Sequence, residues 1–345
     1  MGLPLVSIII PHFNGSDIID SCLQSLKLCS YENLEIILVD NYSSDDSVSF
    51  VQKNYPYVCI IQNSENHGFA EGCNIGSQQA KGKYLLILNN DTIHEPDWIL
   101  PLVNILESDS TISSVQPKIL NFHNRQLFDY AGASGGFMDM FCFPFSRGRI
   151  FDTVEMDKGQ YDDPIEIFWA SGTAFLTRKD LFLETGGFDE DLFAHMEEID
   201  YHWKCKLMEY RIFVQPSSVI YHMGGATLQY SSPEKTYLNH RNSFLLLLTN
   251  YSFINSVILS IPRFMMELLS AFRDLFSKRT DHGIAQFRAL WWIISHPGIV
   301  MKRRRKTKKI RMLKDADIMV NMYRRSLVFD YFVLKMKSYT EILRK

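Results

Sequence analysis

The nine residues Tyr84-Leu85-Leu86-Ile87-Leu88-Asn89-Asn90-Asp91-Thr92 constrain this chain more than any others. Five apolar or aromatic residues in an unbroken run predict a strand buried on both faces, as in the middle of a parallel sheet. The run ends in two amides and a carboxylate, which are too polar to continue into a core and so project from the carboxyl end of the strand. In open α/β sheets that edge is where ligands bind. Asn89 and Asp91, one residue apart, can share a hard divalent cation, and such a cation suits a phosphate-bearing substrate. A strand-ending turn would use the same residue types, because Asn and Asp favour turns for local hydrogen-bonding reasons.

The segments before this strand predict alternating strands and helices. Leu5 to Ile10 is an apolar strand closed by Pro11, and Ser16 or Asp17 can cap a helix through Ile18, Ile19, Cys22, Leu23 and Leu26. Leu34 to Val39 is a second strand, Ser44 can cap a short helix through Val48 and Val51, and Val58 to Ile61 is a third strand. A helix from about Phe69 to Ala80 shows a mostly small inner face, Phe69, Cys73, Gly76 and Ala80, suited to close packing on a sheet. This alternation implies βαβ units and a parallel sheet. Polar groups then gather at three strand ends: Phe13-Asn14, Asp40-Asn41-Tyr42-Ser43 and Asn89-Asn90-Asp91. The Asp40 carboxylate can accept the ring N–H of uracil, thymine or guanine and has nothing to accept from N3 of cytosine. The loop Asn66-His67-Gly68-Phe69-Ala70 opens a helix whose N-terminal amides favour an anion. No G-x-G-x-x-G follows the first strand and no G-x-x-x-x-G-K-[ST] occurs, which argues against dinucleotide dehydrogenases and P-loop NTPases.

With 345 residues, 46% hydrophobic and 22% charged, the chain has the composition of a soluble enzyme with a full core. Its six cysteines show no C-x-x-C pair or metal-ligand spacing and suggest reduced thiols in a cytosolic protein. Met1 to Ile10 runs straight into a strand without a basic leader, so no secretion signal is expected. Residues 301–345 carry 15 Lys/Arg and 4 Asp/Glu, a net of +11, against −14 for residues 1–300. An acidic body with a basic tail is not the footprint of a nucleic-acid-binding domain; it suggests a tail that meets another anionic partner.

The motifs V-S-I-I-I-P-H-F-N, I-I-L-V-D-N-Y-S-S-D-D-S, E-N-H-G-F-A-E-G-C-N-I-G and Y-L-L-I-L-N-N-D-T resemble, in order and spacing, the family 2 glycosyltransferases of GT-A fold. The likeness covers roughly residues 5–250 and is closest to rhamnosyltransferase-like members that build bacterial surface polysaccharides. It implies an α/β fold with a mostly parallel central sheet flanked by helices. It also implies a nucleotide-sugar donor (a UDP- or dTDP-sugar, with dTDP-rhamnose as the best guess), a divalent Mg2+ or Mn2+, and inversion at the anomeric carbon. The donor would lie against Pro11, Phe13, Asn14, Asp40, Asn41, Ser43, Asn66, Gly68, Phe69, Asn74, Asn90 and Gly172. Asn89 and Asp91 would occupy the metal positions of the family's D-x-D motif, with Asn89 replacing its first aspartate. His222, ending a strand within Val219 to Gly225, would be a further metal or phosphate ligand.

Further along, residues 120–165 are rich in aromatics and glycine without a sustained period and suggest a loop over the donor site. Trp169 to Leu176 suggests a strand whose Gly172 allows a close backbone approach and, by the resemblance, lines the donor sugar. Met196, Ile199, Trp203, Leu207 and Tyr210 have helical spacing, so a helix begins near Glu197 with three carboxylates in its first turn. Acidic residues there also complement a helix dipole. The resemblance makes Glu198 the catalytic base, in the place of an aspartate, and leaves Glu197 as the rival.

Ser243 to Pro262 is mostly apolar but interrupted by polar residues, so a bilayer span is not favoured. Residues 263–296 suggest amphipathic, aromatic-rich helices, and Lys302 to Lys309 places seven basic residues in eight, as an anionic-lipid patch would. The expected organisation is a catalytic domain over 1–240, with a nucleotide-binding half (1–100) and an acceptor/catalytic half (101–240). A helical, membrane-associating extension follows over 241–345. The function expected is sugar transfer to a hydroxyl of a glycan or lipid-linked acceptor at the inner face of the cytoplasmic membrane, without nucleic acid. The alternative is a catalytically silent nucleotide-sugar-binding scaffold, favoured only by the substitutions at Asn89 and Glu198.

Overall fold

The computed structural model describes residues 2–224 and 232–343; Gly225 of the Val219–Gly225 motif lies outside them. The first hundred residues form β1 (Val6–His12), α1 (Ser16–Lys27), β2 (Leu34–Asp40), α2 (Ser47–Asn54), β3 (Cys59–Gln62), α3 (Gly68–Gln79) and β4 (Tyr84–Leu88). β1 pairs in parallel with both β2 and β4, and β2 with β3, as the alternation requires. Every residue of β4 is buried, because the strand lies inside the sheet with layers on both faces. The small face of α3 is needed where expected: a Cβ at Gly76 would lie 2.6 Å from Ile9 and 2.9 Å from Val39. Two helix starts differ. Gly15, at φ 100°, precedes α1, and its N–H is taken by Asp45 at 2.6 Å, so neither Ser16 nor Asp17 caps it. Asp46, not Ser44, precedes α2.

The next elements are β5 (Thr92–His94), α4 (Ile99–Ser108), β6 (Ile112–Asn121), β7 (Gly136–Met138), β8 (Pro144–Ser146), β9 (Arg149–Ile150), β10 (Thr153–Val154), β11 (Ile165–Ile167), β12 (Ala174–Arg178), α5 (Lys179–Glu184), α6 (Glu197–Leu207) and β13 (Arg211–His222). They complete a nine-stranded sheet of order β11-β13-β6-β12-β4-β1-β2-β3, with β5 on β13. The parallel pattern gives way where β12 inserts antiparallel between β4 and β6. This strand starts at Ala174; Trp169 to Thr173 lead into it through a turn in which the Ala174 N–H reaches the Ser171 carbonyl. Residues 120–165 are not the expected loop. β7 to β10 form a small antiparallel sheet, and Phe128, Phe145 and Tyr161 share a core with Leu327, Tyr331, Tyr339 and Ile342. The aromatics find partners about two hundred residues away, as in the 2.8 Å hydrogen bond between Thr153 and Tyr331.

The C-terminal third contains α7 (Pro233–Asn250), α8 (Phe253–Phe276), α9 (Thr280–Ser295), α10 (Pro297–Ile310), α11 (Asp315–Met319), α12 (Leu327–Phe332) and α13 (Tyr339–Leu343). A boundary at residue 240 would cut α7 in the middle. One core joins Met196, Ile199, Trp203 and Leu207 of the α6 segment to Phe244–Leu247 of α7, Leu259 of α8 and Leu290 of α9. The apolar stretch 243–262 is divided at Tyr251–Ser252: its first part is buried protein core, and the long apolar helix is α8.

Candidate active site

The carboxyl ends of β1, β2 and β4 do meet at one edge, but many of the polar residues there are committed to the fold. Asp40 is buried and accepts the Ser43 N–H at 3.1 Å; Asn14 accepts the Ser44 N–H at 2.8 Å, and the Asn14 N–H reaches the Ser43 hydroxyl at 2.9 Å. Asn41 donates to the Gly68 carbonyl at 3.0 Å and accepts from Asn63 at 2.9 Å, which ties α3 to two strand ends. Asn90 turns into the protein, 2.9 Å from His12 Nδ1. Asn74 bonds the backbone N–H and carbonyl of Phe188, both at 2.9 Å, and so clamps a turn. The start of α3 is covered: Asn66 accepts the Gly68 N–H at 2.9 Å, the Phe193 carbonyl accepts the Ala70 N–H at 3.2 Å, and a Cβ on Gly68 would strike Phe193 at 2.7 Å. Two amides of the expected anion site are thus already paired. Beside buried Pro11, the rings of Phe13 and Tyr42 stay exposed, 37% and 61%. Tyr42 was missed as a candidate; an aromatic among turn residues was its only signal.

α6 begins at Glu197, as its apolar spacing predicts. The approach to it is strained. Phe193, His195 and Met196 all have φ between 62° and 74°, each costing on the order of 1–3 kcal/mol for a residue with a Cβ. Asn242 on α7 holds this segment by donating to the carbonyls of Leu192, Ala194 and His195, and Arg241 donates to those of Asp191 and Leu192. The three acidic residues of the first turn have separate roles. Asp200 is fully buried, paired with Lys204 at 2.7 Å and Arg303 at 3.0 Å, and accepts from Asn250 at 2.8 Å. Burial would raise its pKa, but these partners outweigh it and hold the carboxyl at about 2. Glu197 is 4% exposed; burial, then the neighbouring Glu198, push its pKa well above the usual carboxylate range. Glu198 is half-buried, and burial, opposed by backbone N–H groups including that of Gly172, raises its pKa to about 7. A Cβ on Gly172 would stand 3.6 Å from Phe69 and 3.7 Å from the Glu198 carboxyl carbon, so these three residues share one space. Those are ordinary contact distances. Glycine is not forced there by close approach.

β13 delivers His222 to the Asp91 strand end. Its Nε2 lies 3.1 Å from Asp91 and its Nδ1 2.9 Å from Asp129. Burial alone would lower the imidazole pKa, but the two carboxylates outweigh it and raise it to about 10. Burial would likewise raise the Asp91 carboxyl, yet His222 holds it below its ordinary value, and the Asn89 amide adds to the effect. Asp129, fully buried, was not anticipated: it lies 93 residues from its partner in an aromatic stretch without a motif. Among the described residues no group of three or more His, Cys, Asp and Glu side chains forms a ready metal site. The donors present nevertheless fit a divalent cation. The Asp91 carboxylate is ion-paired with His222 Nε2 at 3.1 Å and the Asn89 amide lies beside it, so a cation bound there would take the place of the imidazole proton.

The sequence model of Glycosyl transferase family 2 matches residues 7–185. An uncharacterized glycosyltransferase of Haemophilus influenzae is 36% identical over 115 residues, 32% of this chain and 36% of that protein. Poly-beta-1,6-N-acetyl-D-glucosamine synthase of Staphylococcus aureus is 25% identical over 234 residues, 65% of this chain and 51% of the synthase. The chain thus spans about a third to a half of the length of these curated relatives. Among solved structures, GalNAc-T7 with UDP, GalNAc and Mn2+ superposes with a TM-score of 0.56 at 20% identity, over 71% of this chain and 48% of that one. Staphylococcus aureus TarS 1–349 with UDP superposes with a TM-score of 0.51 at 18% identity, over 74% and 69%. These superpositions establish the GT-A fold. The family match runs over more than half of the sequence and takes in the β1, β2 and β4 strand ends, so this chain belongs to glycosyl transferase family 2.

Proposed function

We propose that the protein is an inverting glycosyltransferase of surface polysaccharide synthesis, moving a sugar from a pyrimidine nucleoside-diphosphate donor to a hydroxyl of a glycan or lipid-linked acceptor. The observation that carries this reading is Glu198, a half-buried carboxylate with a pKa near 7 at the start of α6, facing Gly172 and Phe69. In a single displacement the acceptor oxygen forms a bond to the anomeric carbon, the bond to the diphosphate oxygen breaks, and the acceptor proton passes to Glu198. Asp200 is locked in ion pairs and Glu197 is buried, its pKa pushed up by burial and by Glu198, so the more accessible Glu198 is the one to take that proton. Asp91, His222 and Asn89 would hold a Mg2+ or Mn2+ ion, which when bound neutralises charge on the departing diphosphate. Asp129, on the far side of the His222 ring, fixes the orientation of that imidazole, the arrangement expected behind a metal-binding histidine. Asp40 would read the base, with dTDP-rhamnose the first donor to try, and Tyr42 and Phe13 offer rings beside it.

The enzyme would work at the inner face of the cytoplasmic membrane, where its basic, apolar C-terminal helices meet lipid and lipid-linked acceptor. The test is purified protein screened against a panel of nucleotide sugars with manganese or magnesium, following nucleoside diphosphate release. Release from one pyrimidine donor supports the proposal. Donor binding without release, with or without acceptor lipid, would favour a silent scaffold subunit.

A further inference from the structure

α8 is built inside out. Its buried residues are Ser256, Leu259, Arg263, Glu267, Ala271 and Asp274, four of the six polar or charged. Its exposed residues include nine large apolar ones, Phe253, Ile254, Val257, Ile258, Ile261, Met265, Leu269, Phe272 and Phe276, from 46% to 86% exposed. At about 100° per residue these nine fall within a sector of about 160°. The buried charges are fully engaged on the other side. Arg263 donates to Glu267 at 2.8 Å and to Ser243 of α7 at 2.7 Å, and Asp274 accepts from Gln286 of α9 at 2.8 Å. α8 is therefore fixed to the protein by its polar face, and its apolar face is left outward. Soluble proteins rarely leave an apolar patch of this size without a partner.

We infer that this outer face is a lipid-docking surface, on which α8 lies flat in the interface of a bilayer with anionic headgroups. The inference rests on the proposal that the C-terminal helices meet a membrane, and it names the surface and its orientation. Charge selects the occupant. The exposed charge within α8 is Arg273, which also pairs with buried Asp274 at 3.0 Å beside the C-terminal end; exposed Lys278 and Arg279 follow, against one exposed acid, Asp281. At the other end the Arg304 guanidinium of α10 stands 5.5 Å over the Phe253 ring and brings the basic run alongside. Cations at both ends of an apolar stripe match anionic headgroups flanking acyl chains. They would face like charges if a second copy lay on the stripe, in either direction. A crossing helix is excluded by the inner face. Twenty-four residues, with an 18-residue stretch at mean hydropathy 1.3, are long enough to cross, but crossing would carry Arg263, Glu267 and Asp274, with their α7 and α9 partners, into hydrocarbon. Lying flat keeps those groups in protein. Arg303 and Arg304 then have structural duties, and Lys309 faces a cavity shared with α3 and α5, so the cations of α10 left for lipid are exposed ones such as Arg305 and Lys308.

The test is co-sedimentation of the full chain with phosphatidylcholine vesicles, with and without phosphatidylglycerol. The expected result is binding that phosphatidylglycerol strengthens, is released by alkaline carbonate, and falls about ten-fold or more in the double variant Ile261→Glu/Leu269→Glu. Retention in carbonate would overturn the flat orientation. Wild-type protein left in the supernatant, or a double variant that sediments like wild type, would overturn the docking surface. So would light scattering showing a dimer that the double variant disperses, which would make a second copy the occupant. Circular dichroism and nucleotide calorimetry on the variant show whether it is folded; if it is not, Ile261→Ser/Leu269→Ser replaces it under the same criteria. Nucleoside diphosphate release without vesicles is scored separately. Release without vesicle binding removes only the docking surface, and vesicle binding without release from any donor removes only the transferase reading.

Discussion

The nucleotide-binding half and the α6 region form two sides of one candidate site but are held in opposite ways. Around β1, β2 and β4, hydrogen bonds among Asn14, Asp40, Ser43 and Ser44 tie the two neighbouring loops together, and the strands beneath are mostly apolar. Around α6, buried charges do that work. Arg303 arrives from α10 to pair with Asp189 at 2.8 Å and Asp200 at 3.0 Å, and Asn242 of α7 holds the carbonyls of Leu192, Ala194 and His195 along the strained segment. The first side is a local structure that a ligand can approach without disturbing the core. The second depends on the C-terminal helices, so the extension is part of the framework that holds the candidate site.

That contrast can be broken at several points. The largest effect is expected on the shared edge: Asp91→Ala, or EDTA on the wild type, should abolish turnover while leaving the fold intact by circular dichroism. Full turnover in chelator would mean that protein cations replace the metal. Next, Arg303→Met should destabilise the protein by about 3–5 kcal/mol in urea titrations, because it strands the buried Asp189 carboxylate and leaves Asp200 with Lys204 as its one cation. Lys302→Ala, one residue away and half-exposed at 52%, should do almost nothing. Similar effects for the two would mean that α10 does not brace α6. On the nucleotide side Asp40→Ala should weaken UDP or dTDP binding by about 1–3 kcal/mol in calorimetry, the range for losing one charged hydrogen bond. Equal wild-type affinity for CDP would remove its base-reading role. The smallest change should come from Asn66→Ala, about 1 kcal/mol of stability from a lost helix-start hydrogen bond. Its nucleotide affinity should not move; a matching loss would return that loop to the donor site.

The legible parts of the sequence are those where one physical signal dominates. The Tyr84–Leu88 run could only be a buried strand, and the Met196, Ile199, Trp203, Leu207 spacing placed the start of α6. Polar residues were harder to assign, because Asn41, Asn66 and Asn74 have the composition of ligand contacts yet satisfy backbone groups of their own fold. Asp129 and Arg303 were illegible for another reason. Each acts through a partner 93 or more residues away, and Arg303 sits inside a run, Lys302 to Lys309, whose composition suggests only a solvated or lipid-facing patch. α8 shows the same limit: its apolar residues were plain, but which face they occupied depended on Arg263 and Glu267 finding partners on the inner side.

The most direct test of the account is the pH dependence of kcat/KM for the wild type, Glu198→Gln and Glu197→Gln. A base must be ionised to accept the acceptor proton, and the Glu198 pKa is about 7. Wild-type activity should therefore fall below pH 7 and level off above it. Glu198→Gln should bind donor normally, lose about 10²–10⁴-fold in turnover and lose that pH limb, whereas Glu197→Gln keeps both. Near-normal turnover in Glu198→Gln, with Glu197→Gln inactive, would contradict the account and move the base one residue back.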